Sequence, residues 1–337
     1  MGTRYRRPAR RRTWTTFEDA DGVPDPDNDN GHVLDPADGG AVSYPAPMLV
    51  GTSQWGLSEA SVETTLVLGP SVRAHAVRRT GLRFDSRFMA GALQTRGVAT
   101  VHLVLEGMLE RSDGVRTIAP VAHVLDEREF ERVDLTLPTF RLGGSPTIVI
   151  DICLKREHVA AVPGFALGAR DLDPTVWQAA SALIAASGEG EIIDAFAHLI
   201  RVLAAAGVLT TAPLEQLEQP EPPHLARVWR ALVQFYSRHE TSSYLDSLAA
   251  VAGLSVRQVD RDVRALNDRF LLHGGFRTLA RVLRLRRAVL LLSARGVTVE
   301  DVARTVGYGG ADAMGRAFRD AKLPSPATVR RAVTLDP

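Results

Sequence analysis

The 337-residue chain is 45% hydrophobic and 23% charged, ordinary values for a globular protein, and its length predicts two domains. Its single cysteine, Cys153, excludes an intramolecular disulfide framework and any multi-cysteine zinc site, and its apolar runs are too short for a membrane span. The net charge of +1 hides a segregation: residues 225–337 hold 19 basic against 10 acidic side chains (+9), and residues 1–224 hold 21 against 29 (−8).

A basic end on an otherwise acidic chain points to a polyanion as its partner, or else to a solvated arginine-rich surface. Residues 1–50 open with six arginines between Arg4 and Arg12, followed by eight acids between Glu18 and Asp38. With few apolar residues to offset the entropy of ordering, this stretch reads as a disordered tail. No apolar segment follows the arginines, so the start does not read as a secretory signal, and a cytoplasmic protein is expected.

From Val62 to His158 the texture is that of strands. The runs TTLVLG, VATVHLVLEG, VRTIAPVAHVLD, VDLTLPTF and PTIVIDICL are separated by Gly, Pro and Asp turns. Val98–Gly107, then Met108–Arg111, an Asp113-Gly114 turn and Val115–Ile118 predict a hairpin. Helical periodicity begins at Asp173, a cap in front of Pro174, with Trp177, Ala180, Leu183 and Ile184 on one stripe. A second helix carries Ile192, Ile193, Phe196, Leu199, Ile200 and Leu203 on one face and stops at Gly207. That face must pack either on the protein's own sheet or on a second copy. Four prolines between residues 210 and 224 mark a stiff linker.

The remaining 113 residues are helical in pattern. Leu225, Val228, Trp229, Leu232 and Tyr236 form one helix face. LDSLAAVAGLS then leads through Gly253 to SVRQVDRDVRAL, where Ser255 and Gln258 have the spacing of a capping box; helix, glycine turn and capped helix is the pattern of a helix-turn-helix. The pattern returns downstream: Thr298 with Asp301 opens a helix, Gly307 breaks it, and Ala311–Lys322 forms the next. Between the two units Phe276–Ala294 reads as an amphipathic helix with Leu279, Val282, Leu283, Leu285, Val289 and Leu292 inward. About 19 residues at ~1.5 Å each make a rod of ~28 Å, against ~34 Å for one turn of B-DNA, so helices at its two ends would enter successive major grooves.

The stretch Val299–Arg331 resembles the second unit of the C-terminal DNA-binding domain of AraC/XylS-family transcription regulators. The matching residues are Val302-Ala303, Val306-Gly307-Tyr308, Arg316, Phe318-Arg319, Pro326 and Arg330. Leu283–Ala288 is similar to the family's connector helix and Leu248–Asp262 to its first unit. Four features depart from the pattern. Leu323 stands where the family has Gly, Val263 where an aromatic is common, and the stretch from Val263 to Gly275 is longer than typical. Gly309-Gly310 replace polar capping residues, which predicts a looser start for the second recognition helix.

The resemblance implies an α+β protein of two domains: a β-rich N-terminal domain, cupin-like in this family, with dimerising helices, and an all-α C-terminal domain of two helix-turn-helix units. The expected division is a tail at 1–50, an effector or dimerisation domain at 51–213, a linker at 214–224 and a DNA-binding domain at 225–337. Arg257, Gln258, Asp260, Arg261 and Arg264 face outward on the first recognition helix, and matching to the family sets Arg257, Asp260 and Arg261 toward the groove. Arg suits guanine and Asp suits cytosine N4, although Asp260 also has the spacing to pair with Arg264. In the second unit the matching positions are Ala311, Asp312, Ala313 and Arg316, with Arg319 nearby; the alanines offer methyl contacts and Asp312 suits the helix N-terminus. The first unit is therefore expected to dominate specificity.

The expected partners are double-stranded DNA, a second copy of the chain, a small-molecule effector, and RNA polymerase if the protein activates; no membrane partner, cofactor, metal or catalytic residue is expected. Two alternatives stand beside this reading. In one the N-terminal domain binds only a protein partner. In the other the chain is a cupin-type metalloenzyme with an appended DNA-binding domain, against which His75, His102, His123 and His158 show no His-x-His pattern. Cys153 reads as a core residue.

Overall fold

The computed structural model describes residues 48–88, 98–126, 139–160, 169–211, 213, 223–237, 245–270 and 275–334. The tail expected at 1–50, most of the 214–224 linker and the first part of the VDLTLPTF run therefore lie almost wholly outside the described residues.

Among the described residues eight strands form one antiparallel sheet: β1 (Leu49–Leu57), β2 (Ala60–Gly69), β3 (Val72–Thr80), β4 (Phe84–Asp85), β5 (Val98–Arg111), β6 (Arg116–Ile118), β7 (Val121–Leu125) and β8 (Phe140–Lys155). Their order is β1-β2-β3-β8-β5-β6, with β4 beside β8 and β7 beside β5. The hairpin expected around Asp113-Gly114 is present, but its first arm is one bulged strand, with register shifts between Val104 and Met108 around Gly107.

Because side chains alternate across a strand, register decides what each face carries. One row runs Val50, Val67, Ala74, Ile152, Val101 and Val124 across β1, β2, β3, β8, β5 and β7. All six are buried in a single apolar cluster. The adjacent row, on the opposite face, runs Leu66, His75, Asp151, His102 and His123. The sheet thus has a dry face and a face with a polar stripe.

The dry face is covered by α1 (Pro174–Ala185) and α2 (Glu189–Ala205). Asp173 caps α1 by accepting from the Thr175 amide at 2.9 Å, with Pro174 in the first turn, and Gly207 ends α2 in a left-handed conformation. Ile192, Ile193, Phe196, Leu199, Ile200 and Leu203 of α2 are all buried against the protein's own sheet. Each contributes about 1.5–3 kcal/mol through burial. This answers the question left open by the sequence: the apolar face is used within the chain, and Glu191, Asp194, His198 and Arg201 form its exposed side.

The described residues go on to form α3 (Pro223–Ser237), α4 (Leu245–Ala252), α5 (Val256–Arg269), α6 (Phe276–Leu292), α7 (Val299–Thr305), α8 (Ala311–Asp320) and α9 (Pro326–Thr334). They cover the second face of the sheet over β1–β3. Leu49 and Leu68 share a cluster with Leu225, Trp229, Leu248, Val263 and Phe270, while Ala60, Val62 and Val77 share one with Leu285, Val289, Val302, Met314 and Phe318. Polar contacts add to the seam: the Trp229 indole donates to the Val50 carbonyl (3.3 Å), the Ser71 amide to the Arg269 carbonyl (3.3 Å), and the Arg83 amide to Ser293 Oγ (2.9 Å). The molecule is a layered stack of α1–α2, sheet and C-terminal helices.

The connector α6 shows what this layering does. It spans 17 residues, or ~25 Å, slightly shorter than the sequence predicted. Leu279, Val282, Leu285, Val289 and Leu292 are buried as expected, and Leu283 is half-buried. Its last turns are buried all round, because Ala288, Leu290 and Leu291 are enclosed as well. Cys153, expected in the apolar core, faces the polar side instead, 3.5 Å from Thr100 Oγ1.

Candidate nucleic-acid interface

Two helix-turn-helix units hang from the ends of α6. In the first, α4 ends at Gly253, whose φ of +63° is a conformation that favours glycine, and the Leu254 amide returns to the Ala249 carbonyl at 3.0 Å. Ser255 then caps α5 by accepting from the Gln258 amide at 3.3 Å. In the second unit α7 opens with a complete capping box between Thr298 and Asp301 and ends at Gly307, φ +83°. The Tyr308 amide bonds back to the Ala303 carbonyl at 2.9 Å.

On α5 the buried side is Val259, Asp262, Val263, Leu266 and Asn267. Arg257, Arg261 and Arg264 are exposed along the opposite side, with Gln258 and Asp260 half-buried at its margins. Two of these arginines are held by neighbours. Arg264 Nε donates to Asp260 at 3.0 Å, the i,i+4 pair that the spacing allowed, and Arg261 Nε donates to Asp262 at 3.3 Å. Asp262 was not singled out from the sequence, although it falls on the apolar stripe of α5, where an acid is out of place. It is 2% exposed, and its Oδ2 has no hydrogen-bond partner among the described residues. The longer stretch after Val263 is partly absorbed by helix: α5 continues to Arg269, and Phe270 at its end is fully buried. Residues 271–274 lie outside the described residues.

On α8, Met314 and Phe318 point into the core and Asp312, Arg316 and Arg319 are exposed, while Ala311 and Ala313 are half-buried. The looser start expected from Gly309-Gly310 does not occur. Glu300, on α7, accepts from the Ala311 amide at 2.8 Å and from Arg304 Nε at 2.8 Å, so a carboxylate from the neighbouring helix caps α8. The Ala311 amide, and after it the Arg304 guanidinium, hold the Glu300 carboxyl below its ordinary range. A Cβ at Gly310 would lie 3.4 Å from both Glu300 oxygens, so the small residue leaves room for the carboxylate.

Leu323 is also accommodated. The left-handed residue after α8 is Lys322 (φ +58°), one position earlier, and Leu323 packs half-buried into the core. The Arg284 guanidinium of α6 lies 5.4 Å from the Tyr308 ring centre, tying the second unit to its connector.

The outward arginines of both units can offer paired N–H donors to guanine edges or to phosphates, with Arg264 and Arg261 each already donating through Nε to Asp260 and Asp262. Among the described residues no group of three or more His, Cys, Asp or Glu is placed to hold a metal ion, and no helix is long and apolar enough to cross a membrane.

Residues 248–332 match the family model of the helix-turn-helix domain. The chain is also similar to solved structures at low identity. A DNA-binding transcriptional dual regulator from Escherichia coli K-12 shares 18% identity over 34% of this chain and 96% of that one, with a TM-score of 0.28. Apo ToxT from Vibrio cholerae strain SCE256 shares 8% identity over 83% and 99%, with a TM-score of 0.33. The AraC-like transcriptional activator CuxR shares 14% over 77% and 86%, with a TM-score of 0.24. No curated protein matches the chain. By the family match, residues 248–332 are an AraC-type helix-turn-helix domain, which follows a β-sheet-rich N-terminal domain.

Proposed function

We propose that this chain is a sequence-specific, DNA-binding transcription regulator whose N-terminal domain sets how the DNA reader is presented. The observation that carries the reading is the pair of glycine-turn units on one connector, each with exposed arginines on its second helix, within a segment of net charge +9. Arg257 and Arg261 read bases from α5, Arg264 and Arg319 hold phosphates, and Arg316 extends the footprint from α8. Gln258, Asp260, Ala311 and Asp312 border the two contact surfaces. In full the chain divides at 50, 213 and 224 into tail, regulatory domain, linker and reader. It works as a homodimer on paired sites, answers a small-molecule effector, and contacts RNA polymerase where it activates. An effector acts through the difference in its affinity for two arrangements of the reader. The face available for dimerisation is not the apolar side of α2, which is already buried.

The test is fluorescence anisotropy of the full chain on DNA from upstream of its own gene and on scrambled DNA, over a salt series. Affinity that falls steadily with the logarithm of salt, with upstream DNA preferred, is the expected result. No binding to either DNA at low salt would overturn the proposal.

A further inference from the structure

Asp262 breaks the pattern of the helix that carries it. On α5 it shares the buried side with Val259, Val263 and Leu266, which pack into the core of the first unit. It is 2% exposed, and its Oδ2 has no hydrogen-bond partner among the described residues. A carboxyl group enclosed in this way is costly unless its oxygens are matched, so an apolar side chain would serve stability better here. What the acid does instead is visible in its one side-chain partner among the described residues, Arg261.

Arg261 Nε donates to Asp262 Oδ1 at 3.3 Å. Neighbours on a helix point about 100° apart, so spacing alone does not pair them and the arginine stem must turn back along the flank of α5. The Arg261 side chain is 73% exposed, so one end of the pair is fixed in the core and the other stands in solvent. The pair beside it is of another kind. Arg264 and Asp260 are related by i,i+4, and the acid there is itself 37% exposed, so water competes for both partners.

The chemistry of the guanidinium gives this anchor a use. With Nε engaged from the core, Nη1 and Nη2 remain as a forked pair of donors at the tip, the arrangement that matches O6 and N7 of guanine. An arginine already held gives up less rotamer freedom when it docks than a free one, and a fixed fork discriminates against bases with the wrong acceptors. A phosphate contact demands less of orientation, since a lysine point charge also serves there.

We propose that Asp262 is a positioning residue for base reading: from the core of the first unit it holds Arg261 by Nε, so that the tip of the guanidinium meets a guanine in the major groove. The inference deepens the function proposed above and rests on its assignment of Arg261 to base reading.

The experiment uses the full-length chain on DNA from upstream of its own gene and on scrambled DNA, and reads the ratio of the two affinities together with Tm. Asp262→Ala should leave Tm equal or higher and cut the preference for upstream DNA by about fivefold or more. Asp262→Asn, which keeps Oδ1 as an acceptor, should retain most of the preference. Added to Arg261→Ala, the Asp262→Ala change should alter the preference by less than about twofold, because the residue acts only through that arginine. One 7-deazaguanine in the upstream DNA, which removes the N7 acceptor, should weaken the wild type and leave Arg261→Ala indifferent. A merely structural acid would lower Tm when replaced and leave the preference of the folded chain unchanged. Full preference in Asp262→Ala, or a loss just as large in the Arg261→Ala background, would overturn the proposal. The two readings fail separately: a wild type that prefers upstream DNA while Asp262→Ala prefers it equally would sink this role alone, and a wild type that binds neither DNA would sink the regulator and this role with it.

Discussion

The two helix-turn-helix units share a plan and differ in how their second helices are held. The first is capped from within: Ser255 caps α5 from its own chain end, and α5 is long and lined with Arg257, Arg261 and Arg264 on its exposed side. The second is held from outside: Glu300 of α7 caps α8, Arg284 of α6 lies against Tyr308, and the exposed side of α8 offers Asp312, Arg316 and Arg319. Under the proposed function this divides reading from placing: the helix with three outward arginines distinguishes bases, and the one with two half-buried alanines and a cap fixed by its neighbour is positioned by it.

This contrast can be broken at its base by emptying each core in turn. Phe270 and Phe318 are both fully buried, and replacing either with Ala should cost about 3–5 kcal/mol in chemical denaturation. If the roles differ, Phe318→Ala should shorten the protected DNA footprint while leaving base preference intact, and Phe270→Ala should erase the preference. Identical footprints from the two variants would remove the distinction.

Base reading itself comes next in size. Arg261→Ala should weaken binding to the preferred DNA by about 1–3 kcal/mol and to scrambled DNA by much less. Arg316→Ala should weaken both by similar factors and flatten the salt dependence. Equal losses on the two DNAs for Arg261→Ala would return that residue to phosphate contact.

The caps offer a smaller contrast. Ser255→Ala should destabilise the first unit by about 0.5–2 kcal/mol, seen as faster hydrogen exchange at the start of α5. Glu300→Gln should speed exchange at the Ala311 amide with no change at α5. Exchange faster at both sites in either variant would mean that the two units fold as one.

The smallest expected effect is that of acid. The Glu300 carboxyl titrates below its unfolded value, so its contribution is fully present above about pH 4.5 and is lost as pH falls through the lower folded-state value. Ser255 has no charge to lose. Mild acid should therefore release the Ala311 amide before the Gln258 amide, measured residue by residue against the Glu300→Gln background, where the difference should vanish.

Features set by short stretches of chain were legible in the sequence. Asp173 with Pro174, Thr298 with Asp301, and the glycines at 207, 253 and 307 act within a few residues of themselves, so spacing alone identifies them. The outward side of α5 was legible for the same reason, and the acid at position 262 lay in plain view on its apolar stripe. Features joining distant segments were not legible. The reach of Glu300 to Ala311 depends on how α7 and α8 cross, and the alignment of His75, Asp151 and His102 depends on the register of three strands. The apolar side of α2 announced that it would be buried, but not that its own sheet would bury it.

The enclosure of α6 bears on how this protein can be taken apart. Ala288, Val289, Leu291 and Leu292 share one buried cluster with later helices and with Ala60, Val62 and Val77 of the sheet, so a fragment beginning at residue 225 would leave Leu285, Val289 and their neighbours facing water. Exposed apolar surface of that kind drives self-association. Fusions that graft these helices onto another domain should therefore precipitate unless they carry β1–β3 along. In this molecule the seam between the sheet and the C-terminal helices is itself a core.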